Sequence, residues 1–130
     1  MVAQAEGKDA VARRSTGLLR VPFMRRCHLN LQDGTSFSAF IVNINVLGAY
    51  VARDDLPRLG QPLACRFQMP GNEREIAING VVAWVNPKQQ HPVHSLPPGF
   101  GIKFVELAPE DRRKIAGFVE DYAARQRAGR

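Results

Sequence analysis

Residues 21–34 read VPFMRRCHLNLQDG, and this stretch sets the expectation for the whole fold. From 21 to 31, apolar side chains occupy every odd-numbered position except that of Arg25, and mostly polar side chains fall between them, which is the spacing of a β-strand with one buried face. The Asp-Gly pair that follows is typical of a tight turn between antiparallel strands. The stretch therefore predicts a half-buried strand that enters a hairpin. The inward positions are Val21, Phe23, Cys27, Leu29 and Leu31, and the outward ones are Met24, Arg26, His28 and Asn30.

Further strand patterns follow downstream of this hairpin. SFSAFIVNI and GAYVAR resemble two strands joined across NINVLG, and a third pattern ends at the turn Pro70-Gly71-Asn72. The next strand is long, and Gly80 within it predicts a bend or bulge. The last pattern begins at GFG, after a polar, proline-broken loop from Asn86 to Pro98. Inward positions on these later strands are Leu63, Cys65, Phe67, Met69, Ile76, Ile78, Val82, Trp84, Phe100, Ile102 and Phe104.

The period changes near the C-terminus, where Pro109 and two acidic residues begin a pattern with one apolar stripe. The stripe comprises Ile115, Phe118, Val119 and Tyr122. Because no helix separates the strands, parallel pairing is excluded. The sequence predicts a mostly β fold: a six-stranded antiparallel β-barrel closed by a C-terminal α-helix. We expect a flexible basic leader over residues 1–16, the barrel domain with its helix over 17–125, and a basic tail over 126–130.

Composition bounds the class of protein and its partners. The chain has 130 residues, 45% of them hydrophobic, which suits one domain. A formal net charge of +6 favours anionic partners. No stretch resembles a membrane span or a secretion signal, so we expect a cytoplasmic protein without membrane insertion. The two cysteines, Cys27 and Cys65, fall in strand patterns and are expected to be buried, reduced thiols.

The residue patterns of common catalytic and metal sites are missing. GFG opens a strand and not a helix, so it does not form a phosphate-binding loop. His91 and His94 share a loop without further ligands at metal-site spacing, and His28 lies on an outward strand face. Two acidic pairs, Asp54 with Asp55 and Glu73 with Glu75, fall at turns or strand edges, where solvated carboxylates keep ordinary chemistry. We expect no enzymatic activity, no catalytic residue, no metal and no cofactor.

Three segments, in this order and spacing, carry a resemblance to a known family. They are the basic approach to the first strand, RRSTGLLRVPF, the strand junction NINVLG, and the ending PPGFGIKFVELAPEDRRKI. From about Arg13 to Tyr122 the chain resembles a PilZ domain, a six-stranded barrel with a closing helix that serves as a receptor for cyclic di-GMP. The resemblance implies a non-enzymatic signalling adaptor whose possible ligand is cyclic di-GMP. An arginine fork suits such a ligand, because it can pair with phosphates and with guanine edges.

The resemblance also implies a set of ligand-binding residues. Asn43 fills the family's Asp/Asn position and Gly48 its glycine, whereas Asn45 stands where the family usually has serine. The family spaces two arginines with three residues between them, but here Thr16 stands four positions before Arg20. The nearest substitutes are Arg13 and Arg14, with Arg25 and Arg26 in the strand itself. These departures predict weak binding of cyclic di-GMP, if any.

The same residues admit plainer interpretations. NINVLG can be a turn whose asparagines cap backbone groups and whose glycine takes a positive φ. The arginines can be a solvated basic leader. Three functions therefore remain open: a PilZ-type adaptor in cyclic di-GMP regulation, a ligand-independent module that binds an unidentified protein partner, and a binder of single-stranded nucleic acid. The last ranks third because most aromatic residues fall at core-facing positions.

Overall fold

The computed structural model of the chain describes residues 19–71, 74–88 and 96–129. Within these ranges the strands form a closed antiparallel barrel in the order β1-β2-β3-β6-β5-β4, and a single helix follows. The predicted fold class is confirmed. The strands are β1 (Val21–Leu31), β2 (Ser36–Ile44), β3 (Gly48–Ala52), β4 (Pro62–Gln68), β5 (Glu75–Asn86) and β6 (Gly99–Glu106), and the helix is α1 (Pro109–Ala128).

The hairpin between β1 and β2 forms at the predicted Asp-Gly turn. Gly34 adopts φ 94°, a conformation that costs glycine little. The backbone N–H of Thr35 donates to Oδ1 of Asp33 at 2.9 Å, which fixes the turn. The hydrogen bond to the Thr35 backbone N–H lowers the pKa of Asp33, since it stabilises the carboxylate. Local sequence is therefore sufficient to place this turn.

β1 contains a bulge that its alternating pattern does not reveal. Pro22 pairs with Asn43 and Arg25 with Ile41, so one extra residue is accommodated on β1. Met24 lies at this point with φ 49°, which is a rare value for a residue with a side chain. The bulge places consecutive arginines, Arg25 and Arg26, beside the exposed Met24 on the outer wall. This arrangement forms one wall of a cleft described below.

The pairing of β5 with β6 is irregular at the predicted glycine. Asn79 and Gly80 are consecutive on β5, but their partners on β6 lie two residues apart, so the extra residue of this bulge is on β6. A Cβ on Gly80 would lie 2.7 Å from Cγ2 of Ile102 and 2.7 Å from the carbonyl oxygen of Lys103. Glycine is required here because β6 approaches too closely for any larger residue.

The core fills the barrel and continues beneath α1. Phe23 forms edge-to-face contacts with Phe67 of β4 and Phe118 of α1, with ring centroids 5.5 and 5.4 Å apart. These contacts join the predicted apolar stripe of the helix to the barrel. Ile115 and Val119 are fully buried. α1 ends at Ala128, so it continues past residue 125, at which the sequence placed the end of the domain.

Both cysteines are fully buried and unpaired, as predicted. The hydrogen bond that the Cys65 thiol donates to Cys27 and, secondarily, burial raise the pKa of Cys65 well above its ordinary value. A thiol held in its protonated form is a poor nucleophile, so these cysteines serve as packing residues.

Candidate functional site: the β2–β3 rim

The sequence-predicted ligand residues converge where β1 begins and β2 passes into β3. Val21 pairs with Ile44 and Pro22 with Asn43, so the approach to β1 lies beside the β2–β3 junction. We call this region, formed by Arg20 and residues 43–48, the β2–β3 rim. Arg13 and Arg14 lie outside the described residues. The end of the basic approach to β1, at Arg20, and the strand junction NINVLG therefore lie side by side on the surface.

Arg20 and Asn43 contact each other directly at this rim. Nη1 of Arg20 donates to Oδ1 of Asn43 at 3.3 Å, across 23 positions of sequence. Partial burial lowers the pKa of Arg20 from its ordinary value, but a guanidinium remains protonated at neutral pH. The contact uses one of the five N–H donors that an arginine carries. The rim thus presents a fixed positive charge next to an amide.

Asn45 closes the turn with its own side chain. Its Oδ1 accepts hydrogen bonds from the backbone N–H groups of Leu47 at 2.8 Å and Gly48 at 3.0 Å. Its backbone N–H also donates to the carbonyl of Gly48 at 2.9 Å. The residue is 4% exposed. The interpretation of Asn45 as a turn-capping residue is therefore confirmed, and two backbone donors of the rim are already satisfied by the protein.

Gly48 is required for packing, and the positive φ that the turn interpretation gave it is wrong. Within the described residues, the glycines with positive φ are Gly34, Gly60 and Gly71. A Cβ on Gly48 would lie 2.0 Å from the carbonyl oxygen of Ile102, which no real side chain can tolerate. β6 runs directly across this position, and the N–H of Phe104 donates to the carbonyl of Leu47 at 2.8 Å. The absence of a Cβ at Gly48 therefore allows β6 to approach this closely.

The other polar candidates occupy ordinary surface positions. His28 is exposed, and its Nδ1 lies 3.0 Å from Oγ of Ser38. Glu75 pairs with Arg66, and Asp54 and Asp55 are exposed. His91, His94 and Glu73 lie outside the described residues. In the ranges 19–71, 74–88 and 96–129, no three potential metal ligands cluster. In the same ranges, no helix combines the length and the apolar character needed to cross a bilayer.

Sequence reasoning missed a buried polar network beside the start of β6. The hydroxyl of Tyr50 donates to the carbonyl of Pro97 at 2.5 Å and accepts from Nδ2 of Asn86 at 3.1 Å. Tyr50 also stacks on Trp84, with centroids 5.2 Å apart. The network fixes the end of the Asn86–Pro98 connection against the barrel. A tyrosine in a strand pattern gave no signal for it, because its partners lie far away in sequence.

A second feature missed by the sequence is a surface cleft of about 500 Å³ between β1 and β4. We call it the β1–β4 cleft. Arginines from both strands line it, and the paired residues Arg66 and Glu75 lie in its wall. The full lining is Met24, Arg25, Arg26, His28, Arg66, Phe67, Gln68 and Glu75.

Comparison with known proteins assigns the barrel to a protein family. The family model of the PilZ domain matches residues 12–121, which is most of the chain. The chain belongs to the PilZ domain family. PilZ domains are non-catalytic binding and adaptor domains, and the family binds cyclic di-GMP. The predicted resemblance is thereby confirmed.

Solved PilZ structures share the fold at low sequence identity. The Bacillus subtilis inhibitor of motility (MotI/DgrA) superimposes with a TM-score of 0.67 at 17% identity, covering 84% of this chain and 51% of that chain. This chain thus spans about half of that protein. The PilZ domain of YcgR from Escherichia coli, solved with c-di-GMP, gives a TM-score of 0.60 at 12% identity. The match covers 86% of this chain and 95% of that chain.

The PilZ domain of CeSA from a cellulose-synthesizing bacterium gives a TM-score of 0.55 at 11% identity, covering 81% of this chain and 98% of that chain. At such identities, the likeness establishes the fold alone. No curated protein sequence matches the chain.

Proposed function

We propose that this PilZ domain is a non-enzymatic signalling adaptor in cyclic di-GMP regulation that binds cyclic di-GMP weakly at the β2–β3 rim. The observation that carries the proposal is the 3.3 Å contact between Arg20 and Asn43. It joins the basic approach to β1 and the strand junction, the two segments from which the family builds its ligand site. The formal net charge of +6 also favours a dianionic ligand.

Weak affinity follows from the departures at the rim. With Thr16 in place of the second arginine, one charge-assisted bidentate contact is lost, which costs about 1.5–3 kcal/mol. That loss corresponds to more than tenfold in affinity. Asn45 further occupies the N–H groups of Leu47 and Gly48, so a ligand phosphate would have to displace its Oδ1.

Isothermal titration calorimetry with cyclic di-GMP tests the proposal. We expect saturable heat at high micromolar ligand for the native chain. Arg20→Ala and Asn43→Ala should each lower the affinity about tenfold, since each removes one side of the observed contact. Arg58→Ala is the matched control, because Arg58 lies at the far end of β1 beside Asp33. A folded sample that gives no heat at high micromolar ligand would exclude the rim as a cyclic di-GMP site.

A ligand-independent protein-interaction module is the second candidate, and the Asn45 geometry favours it. A rim whose backbone donors are already satisfied does not need a ligand to become ordered. Asn45→Ser separates the two candidates, because serine is the family residue and is too short to fill the same space. If the rim is a decayed ligand site, Asn45→Ser should increase the affinity for cyclic di-GMP. If affinity stays undetectable in the folded variant, the ligand-independent role is favoured.

A further inference from the structure

The β1–β4 cleft exists because two neighbouring strands separate within a closed barrel. Backbone pairing between β1 and β4 runs from Leu31↔Leu63 to His28↔Arg66 and ends there. On either side, β1 stays paired with β2 as far as Val21, and β4 stays paired with β5 as far as Gln68. The cleft is therefore a local separation of two strands that are each held by their other neighbour.

The bulge in β1 forms the cationic wall of this cleft. Met24, with φ 49°, is 63% exposed, and Arg25 and Arg26 follow it in succession. Nε of Arg25 donates to the carbonyl of Gln68 at 3.3 Å and so spans the gap. The guanidinium carbon of Arg26 lies 5.4 Å from the ring centroid of Phe40, which is 46% exposed. Bulges often redirect side chains at functional sites, and this one concentrates positive charge.

The opposite wall carries a positive charge that an incoming anion can capture. Nη1 of Arg66 lies 3.6 Å from Oε1 of Glu75, and both side chains are 44% exposed. An exposed pair of this kind contributes little stability and exchanges partners easily. The lining contains Arg25, Arg26 and Arg66 against Glu75 as the acid, so the cleft has an excess of positive charge.

We propose that the β1–β4 cleft binds an acidic segment of a partner protein through the side chains of Arg25, Arg26 and Arg66. Charge complementarity identifies the occupant: aspartate and glutamate carboxylates accept the paired N–H donors of a guanidinium. The exposed Met24 adds a polarisable apolar contact of the kind common on protein-binding surfaces. This names the partner chemistry for an adaptor role, and it does not depend on cyclic di-GMP binding at the rim.

Nucleic acid fits this cleft less well. Bases bind single-strand sites by stacking on exposed aromatic faces. Among the described lining residues, the phenylalanine is Phe67, and at 2% exposure its ring is not accessible for stacking. The neighbouring ring of Phe40 carries the Arg26 guanidinium over one face. The cleft therefore offers charges to an anion and offers little to a base.

Fluorescence anisotropy with a fluorescein-labelled poly-aspartate/glutamate peptide, in the absence of cyclic di-GMP, tests the inference. We expect saturable binding that weakens about tenfold on Arg66→Glu and on Arg26→Glu. Arg58→Glu makes the same charge change at the far end of β1 and should alter the affinity less than about twofold. Glu75→Gln should strengthen binding about twofold or more, because it frees Arg66 from its present partner.

The direction of the Glu75→Gln effect separates a binding site from a folding defect, since damage to the fold cannot increase affinity. Circular dichroism confirms that each variant is folded, and Arg26→Gln replaces Arg26→Glu if the latter is not. Absence of saturable binding by the native chain, or an equal loss in Arg58→Glu, overturns the inference. Tighter binding of a labelled oligo-dT with the same arginine dependence also overturns it. Because cyclic di-GMP is left out, failure here does not count against the rim.

Discussion

The β2–β3 rim and the β1–β4 cleft lie near the same end of β1, yet they use their polar groups in opposite ways. At the rim, Asn45 and Gly48 are committed to the turn and to the approach of β6. In the cleft, the bulge and the separated strands leave arginines held by contacts of 3.3 Å or longer at the surface. The difference indicates that Asn45 and Gly48 contribute mainly to stability, whereas the cleft arginines are available for the proposed recognition. Changes at Asn45 and Gly48 should therefore alter folding, whereas changes in the cleft should not.

Gly48→Ala should give the largest effect. A Cβ at this position would lie 2.0 Å from the Ile102 carbonyl oxygen, so β6 must move. We expect the free energy of unfolding to fall by about 3 kcal/mol, measured by urea denaturation. Gly117→Ala is the matched control: nothing lies within 4 Å of its Cβ, and the helix interior should gain about 0.5–1 kcal/mol. Equal stabilities for the two variants would mean that the close strand approach is absent.

Asn45→Ala tests whether the side chain of Asn45 stabilises the rim. It removes the acceptor for two backbone N–H groups, one of them buried, and should lower the free energy of unfolding by about 2 kcal/mol. Asn79→Ala, at an exposed position on β5, should change it by less than about 0.5 kcal/mol. If the two variants were equally stable in thermal and urea melts, the rim would not be a folding element.

Met24→Gly should raise the free energy of unfolding, whereas the two preceding changes lower it. Met24 is exposed and adopts φ 49°, which glycine accepts without the Cβ penalty of about 1 kcal/mol. The more flexible unfolded chain offsets part of this gain, so we expect a net stabilisation of about 0.5 kcal/mol. Met24→Ala retains the Cβ and should not stabilise the protein. A loss of stability in Met24→Gly would show that its side chain packs against the cleft.

Arg66→Gln should have the smallest effect on folding. Both side chains of its ion pair with Glu75 are 44% exposed, and such pairs contribute about 0.5 kcal/mol or less. The change should shrink further in high salt, where surface charges are screened. Glu75→Gln serves as the reciprocal control. A salt-independent loss above about 1.5 kcal/mol would place Arg66 among the structural residues, and the contrast with the rim would fail.

The local sequence pattern was sufficient to predict the strands and the hairpin, but it did not reveal why position 48 requires glycine. The β1–β2 turn has its defining features within a few residues, in the side chain of Asp33 and the positive φ of Gly34, so the local sequence predicts it. One interpretation of NINVLG gave Gly48 a positive φ as part of a turn. Its actual constraint is the carbonyl of Ile102, 54 positions away, which a local pattern cannot contain. The pairing of Arg20 with Asn43 is likewise a consequence of strand register.

The sequence by itself determined the alternation of apolar and polar residues, the turn glycines, the apolar stripe of α1 and the excess of positive charge. These properties are local or additive, so neighbouring residues suffice to specify them. Tertiary structure alone decided that Gly48 would lie against the carbonyl of Ile102 and that Arg25, Arg26 and Arg66 would line one cleft. Such meetings depend on the register and separation of strands, which are set by how the whole barrel closes around its core.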